Sequence, residues 1–218
     1  SWNDWVEKCR LLADSKPMLS SVSTEDPIDL YHFMSRLDAV AGSKNIFITD
    51  AGSNYYIGGQ VLQFNKGQRE ITSGCFAAMG LSIPLAIGSS IADEKSQILA
   101  VTGDGSLELN VQELKTMSHY NLDIKLFVIN NGGYVSMRNW QDGYFEGRRI
   151  ESEDETGTGT LDLAKIASAF DLKYELIDKS DEIDSKLTEI LKTPGPLFVE
   201  VICTHHQQIF EPVKDFSS

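Results

Sequence analysis

Residues 97–131 read QILAVTGDGSLELNVQELKTMSHYNLDIKLFVINN, and this stretch decides the fold. Gln97–Thr102 and Ile124–Ile129 are short, almost unbroken apolar runs, the mark of strands buried on both faces. Between them Leu107, Val111, Leu114 and Met117 fall near helical spacing. A strand, a crossover helix and a return strand place the two strands parallel and side by side. Their carboxyl ends then open on one edge, the first into Gly103-Asp104-Gly105-Ser106, the second into Asn130-Asn131-Gly132-Gly133.

The alternation continues in both directions. Upstream, Asn45–Thr49 reads as a strand that runs into Asp50-Ala51-Gly52-Ser53, residues 55–62 as helical, Glu70–Thr72 as a strand and Met79–Ala92 as a small-residue helix. Downstream, a polar stretch runs to Thr160, followed by a helix over Leu161–Phe170, a strand over Lys173–Ile177, a helix over Ser180–Leu191 and a strand over Leu197–Ile202. The fold class is therefore α/β: a doubly wound parallel sheet with helices on both faces. Such sheets bind ligands at the carboxyl ends of their strands, and the loops 50–54, 103–106 and 130–134 should share that edge. Residues 2–13 read as a helix with Trp2, Trp5, Val6, Cys9 and Leu12 on one side. Residues 14–26 are Ser/Pro-rich, and Asp26-Pro27 is expected to open a helix to about Ala41 with proline in its first turn. The chain divides into 1–26, the end of a preceding domain with its linker; 27–210, the α/β domain; and 211–218, a tail.

Composition narrows the partners. The 218 residues carry a formal charge of −13, which repels phosphate backbones and argues against nucleic acid. An anionic ligand then needs local devices: a metal ion, helix N-termini or backbone N–H groups. Cys9, Cys75 and Cys203 have no metal-ligand spacing, and an odd count without a secretion signal suits the cytoplasm. No apolar run approaches the ~18 residues of a membrane span.

Asp104 between two glycines, with a helix starting at once, lets backbone and helix N-terminus approach a phosphate. A bare carboxylate beside a phosphate repels it, and magnesium, a hard cation that prefers oxygen ligands, bridges the two. Asn130-Asn131 closes the next strand 27 residues after Asp104, near enough to add an amide oxygen and a carbonyl.

Gly-Asp-Gly followed at this interval by Asn-Asn resembles the signature of the thiamine-diphosphate enzymes. Ser73–Pro84 (SGCFAAMGLSIP) resembles SGGLGTMGYGLP of the acetolactate synthases. Ser106–Thr116 (SLELNVQELKT) resembles their SFxMNxQELxT, and Asn130–Gln141 (NNGGYVSMRNWQ) their NNxxxGMVxQWQ. The resemblance covers roughly residues 30–210. It implies a thiamine-diphosphate- and magnesium-binding domain of a carboligase that decarboxylates a 2-oxoacid such as pyruvate and passes two carbons to an acceptor. A 2-oxoacid decarboxylase, a carboligase with a sugar-type acceptor, and a non-catalytic diphosphate-binding module stand as alternatives.

By the same resemblance, Asp104, the side chain of Asn131 and the carbonyl of Gly133 ligate magnesium. Gly103, Gly105, Ser106, Gly52, Ser53 and Asn54 surround the diphosphate, although Ser53 and Asn54 depart from the family's Gly-Gln-His. The carbonyl of Ala77 accepts from the aminopyrimidine, Met79 wedges under the cofactor, and Met137 and Trp140 face the substrate. The family's activating glutamate belongs to an N-terminal pyrimidine-binding domain of a partner subunit, so no catalytic residue is assigned in this chain. The full-length enzyme is expected to be a homo-dimer or homo-tetramer, with room for FAD in a middle domain but not on this chain.

Plainer readings exist for each feature. Gly-Asp-Gly also closes a motif of haloacid-dehalogenase-like phosphatases, but those need an upstream Asp-x-Asp, which is missing before Gly103. Glu151, Glu153, Asp154 and Glu155 read as a solvated loop, and His205 and His206 as exposed. Residues 143–160, with four glycines among many charges, read as a weakly anchored lid.

Overall fold

The computed structural model describes residues 1–15, 22–64 and 67–210. Residues 16–21 of the expected linker and the expected tail 211–218 lie outside them. In chain order the elements are α1 Trp2–Ser15, α2 Leu30–Val40, β1 Ile46–Thr49, α3 Gly52–Val61, β2 Arg69–Ile71, α4 Ser82–Ala92, β3 Ile98–Gly103, α5 Asp104–Leu107, α6 Leu114–His119, β4 Ile124–Asn130, α7 Val135–Tyr144, α8 Leu163–Ala169, β5 Lys173–Ile177, α9 Ile183–Lys192 and β6 Leu197–Ile202.

The six strands form one sheet in the order β2-β1-β3-β4-β6-β5, and every pairing is parallel. The chain runs from β1 outward to β2, then returns to place β3 on the other side of β1. That reversal makes the crevice between β1 and β3 a topological switch point, where such sheets bind ligands. The strands bury both faces. Phe47, Leu99, Val101, Phe127, Ile129 and Val199 pack on α2, α3 and α9, while Ile48, Ile98, Ala100, Leu126, Val128 and Phe198 pack under α4, α6 and α8. Their near-continuous apolar sequences follow from this double burial. Lys125, fully buried in β4, is accommodated because its ammonium donates to Asp123 and to the carbonyls of Thr193 and Gly195, each 2.6 Å away.

Several expected boundaries differ. The helix foreseen from Pro27 begins at Leu30, because the Asp29 side chain caps it by accepting from the Tyr31 N–H at 2.8 Å. Ile28, buried, pairs instead with Cys203. The helix foreseen from Met79 begins at Ser82, after Gly80 at φ +80°. The helix through Leu107–Met117 is broken by a non-helical Asn110, whose amide donates to the Gly80 carbonyl at 2.9 Å. The polar stretch before Thr160 contains α7, which the sequence reading did not foresee.

The segment read as a weakly anchored lid is cross-tied. Arg149 pairs with Asp142 at 2.7 Å and Glu153 at 2.8 Å, and the Tyr134 N–H donates to Ser152 at 3.0 Å. The charges that suggested mobility include its anchors. Among the described residues no helix is long and apolar enough to cross a membrane. α1 leaves Trp2, Trp5, Leu11 and Leu12 exposed.

Candidate functional site

Strand register brings the motif loops together. Gly103 of β3 pairs with Ile129 of β4, so Asp104 and Asn131 leave adjacent strand ends. A cavity of about 290 Å³ lies at this edge. Its walls include Gly52, Ser53, Asn54, Ala77, Met79, Gly103, Asp104, Gly105, Ser106, Asn131, Gly133, Met137 and Trp140. Every position assigned to the cofactor, the metal or the substrate thus lies on one cleft.

The cleft is built from loops and helix starts. The first turns of α3 and α7, both ten residues long, line it, and unpaired N–H groups at helix N-termini favour an anion. Gly105 permits close approach: a Cβ there would sit 2.3 Å from the Tyr134 ring. Ala77 holds a left-handed conformation, φ 40° and ψ 48°, after a 3₁₀ turn at Gly74–Phe76. A non-glycine residue in that region is strained, and such strain clusters at ligand sites.

Asp104 is buried at the mouth of β3. One carboxylate oxygen accepts from the Gly105 N–H and the other from the Gly133 N–H, both at 2.9 Å. Burial pushes its carboxyl above the ordinary range, outweighing those bonds, and a cation beside it would reverse that shift. The Gly133 carbonyl accepts from Val135 N–H at 3.2 Å and keeps a second lone pair.

Among the described residues, four buried side-chain polar atoms have no hydrogen-bond partner: Ser53 Oγ, Asn54 Oδ1, Asn131 Oδ1 and Ser136 Oγ. All four belong to residues that line this cleft. Buried polar groups are almost always satisfied, so this concentration marks where a polar ligand belongs. Among the described residues no trio of His, Cys, Asp or Glu could hold a metal; the donors here are instead one carboxylate, one amide oxygen and one carbonyl. Glu153 is half-buried in ion pairs with Arg138 and Arg149, while Glu151, Asp154 and Glu155 are exposed.

Met137 and Trp140 stand on the exposed side of α7, Trp140 stacked on Tyr144 with ring centroids 4.6 Å apart. Both residues also line an adjoining cavity of about 520 Å³ with Phe145, Arg148 and Ile150. The apolar space therefore begins where the polar floor ends.

Sequence reasoning missed three contributors. Ser136 and Arg138 lie on the unforeseen α7. Asp50, fully buried at the end of β1, accepts from Ala51 N–H at 2.7 Å, Thr102 Oγ1 at 2.9 Å and Asn54 Nδ2 at 3.3 Å. It clamps the starts of α3 and the end of β3 around the switch point. An aspartate directly after a buried strand was the available signal. Asp50→Ala should strand these donors at about 1–3 kcal/mol each and lower stability in urea by at least about 2 kcal/mol. An unchanged denaturation midpoint would remove Asp50 from this role.

A family profile described as "Thiamine pyrophosphate enzyme, C-terminal TPP binding domain" matches residues 50–201. An acetolactate synthase large subunit from Cyanidium caldarium is 35% identical over 73% of this chain and 27% of its own length. The acetolactate synthase isozyme 1 large subunit of Escherichia coli (strain K12) is 30% identical over 86% of this chain and 33% of its own. A chloroplastic acetolactate synthase from Arabidopsis thaliana is 29% identical over 79% of this chain and 26% of its own. The chain thus spans about a quarter to a third of these relatives.

Proposed function

Because the chain belongs to the thiamine pyrophosphate enzymes as their C-terminal TPP binding domain, of the acetolactate synthase type, we propose that it holds thiamine diphosphate through magnesium within an acetolactate-synthase-like carboligase. The carrying observation is the set of four unpartnered buried polar atoms on the strand-end cleft.

Asp104, the Asn131 side-chain oxygen and the Gly133 carbonyl would hold the magnesium, an all-oxygen set of few protein groups such as this ion favours. The Ser106 N–H and the first turn of α3 would take the diphosphate, and Gly105, whose N–H serves Asp104, would let the backbone lie close to it. Ser53, Asn54 and Ser136 supply side-chain oxygens to the same cleft; Ser53 and Asn54 replace the glutamine and histidine of the family pattern. Ala77 and Met79 would meet the aminopyrimidine. When bound, the cofactor supplies a thiazolium carbon that stabilises a carbanion. The chain's own residues fix its position and enclose it, and proximity of this kind contributes on the order of several powers of ten in rate.

The substrate is a 2-oxoacid such as pyruvate, placed over Met137 and Trp140, where the cleft turns apolar. The complete enzyme is a homo-dimer or homo-tetramer in which a partner subunit's pyrimidine-binding domain covers the cleft. Exposed Tyr56, Met79 and Trp140, all lining the cleft, support a covering partner, since large exposed apolar side chains in a group mark interaction surfaces. Any flavin of the full-length enzyme would sit in a middle domain and not on this chain.

Product analysis of the intact protein with pyruvate, thiamine diphosphate and magnesium tests the activity. Acetolactate is expected. Acetaldehyde would assign a simple decarboxylase, and no product would leave a diphosphate-binding module.

A further inference from the structure

Arg138 is 1% exposed, the largest fully buried side chain among the described residues. It does not line the cleft. Its guanidinium donates to four backbone carbonyls: Nη1 to Gly132 at 2.9 Å and Ser152 at 2.8 Å, Nη2 to Asn131 at 2.8 Å and His205 at 3.1 Å. Its Nε faces Glu153 at 3.7 Å. Burying a charge is costly even when it is paired, and an apolar side chain could fill the same space without that cost. The partners show what the charge does.

Two of the four carbonyls belong to the loop that carries Asn131 and Gly133. That loop has no regular structure, and it passes through φ +73° at Gly132 and +106° at Gly133. Its carbonyls have no strand or helix ladder to satisfy them and must find other donors. Arg138 takes those of Asn131 and Gly132. That leaves the Asn131 Oδ1 without a partner and the Gly133 carbonyl with a spare lone pair beyond its bond from Val135, on residues that line the cleft with Asp104. The other two carbonyls tie in residue 152 and the turn after β6, so one planar fork, with donors on two edges, fixes three chain segments.

We propose that Arg138 is the positioning residue of the cation loop: by occupying two loop carbonyls it determines which oxygens reach the metal, and so sets metal affinity and metal preference. The inference rests on the assignment of Asp104, Asn131 and Gly133 to magnesium. A lysine at 138 keeps the charge but has no fork to span four carbonyls. Loss of an outer partner that orients metal ligands typically costs about 10–100-fold in metal affinity.

The test is thiamine diphosphate affinity of the intact protein, measured across a magnesium series and a manganese series, alongside the thermal midpoint of the metal-free protein. In Arg138→Lys the magnesium concentration giving half-maximal cofactor binding should rise about 10–100-fold. Saturating magnesium should restore cofactor affinity, and the magnesium-to-manganese ratio should change. A purely structural arginine would lower the thermal midpoint and leave the magnesium midpoint where it was, and that result overturns the proposal. If Arg138→Lys does not fold, Arg138→Gln decides, because its neutral amide removes the buried charge and has too few donors to keep all four carbonyl bonds. A raised magnesium midpoint supports the proposal and an unmoved one overturns it. Retention of magnesium dependence in Asp104→Ala would instead overturn the underlying site assignment.

Discussion

Asp104→Ala should weaken thiamine diphosphate binding in magnesium by more than about a hundredfold, the upper end of what loss of an outer-shell partner costs in metal affinity. Asp104 is the sole carboxylate among the residues that line the cleft. Without it a cation meets only neutral oxygens, and the diphosphate faces the loop with its charge unbridged. The same change frees the N–H groups of Gly105 and Gly133, at about 1–3 kcal/mol each, so Asp104→Asn is the control that keeps the shape. Thermal shift on adding cofactor and magnesium checks both variants: a wild-type shift in either would remove Asp104 from the metal. The pH dependence follows from the raised carboxyl of the metal-free protein. Protonated Asp104 is favoured as pH falls through that raised value, so magnesium affinity should drop over the same interval. In the metal-free protein the charged form costs stability as pH rises through it, and a bound cation relieves that cost.

The chain by itself should not turn over pyruvate. Its sheet is covered on both faces, so it should fold and show native circular dichroism. Among the described residues that line the cleft, however, Asp104 is the sole carboxylate and there is no histidine. Asp104 belongs to the metal in this account, and Asp50 lies buried with its oxygens committed to three donors. The activating glutamate is assigned to a partner domain, and the chain spans 27% of its Cyanidium relative. Loss of acid–base assistance alone costs about 10²–10⁴-fold, and an uncovered cleft adds to it. Pyruvate consumption at saturating cofactor and magnesium checks this. Turnover on the order of 10 per second, typical of an intact enzyme, would mean that the chain holds a complete active site.

The sheet was legible because parallel strands buried on both faces read as nearly continuous apolar runs: QILAVT and IKLFVI are broken only by Gln97, Thr102 and Lys125. The strand-end loops were legible because Gly, Asp, Asn or Ser follow such runs at three places that a parallel sheet brings to one edge. Helix α7 was not. Its apolar residues Met137, Trp140 and Tyr144 do fall at helical spacing, but on the exposed side, while Val135 and Arg138 point inward, so the stripe does not mark a face packed on the core. An arginine satisfied by four carbonyls looks the same in sequence as a solvated one. The break at Asn110 was hidden because it depends on a distant acceptor, the Gly80 carbonyl. Asp50 was passed over because its partners, Thr102 and Asn54, come from two other elements. Long-range polar satisfaction leaves no periodicity to read.

The most direct test of the central claim is a calorimetric titration of thiamine diphosphate into the intact wild-type protein, with and without magnesium. A single site per chain is expected, saturable in magnesium and weakened at least about a hundredfold when the metal is chelated, because the diphosphate would then face Asp104 directly. Equal affinity in the two conditions, or no binding in either, would contradict it.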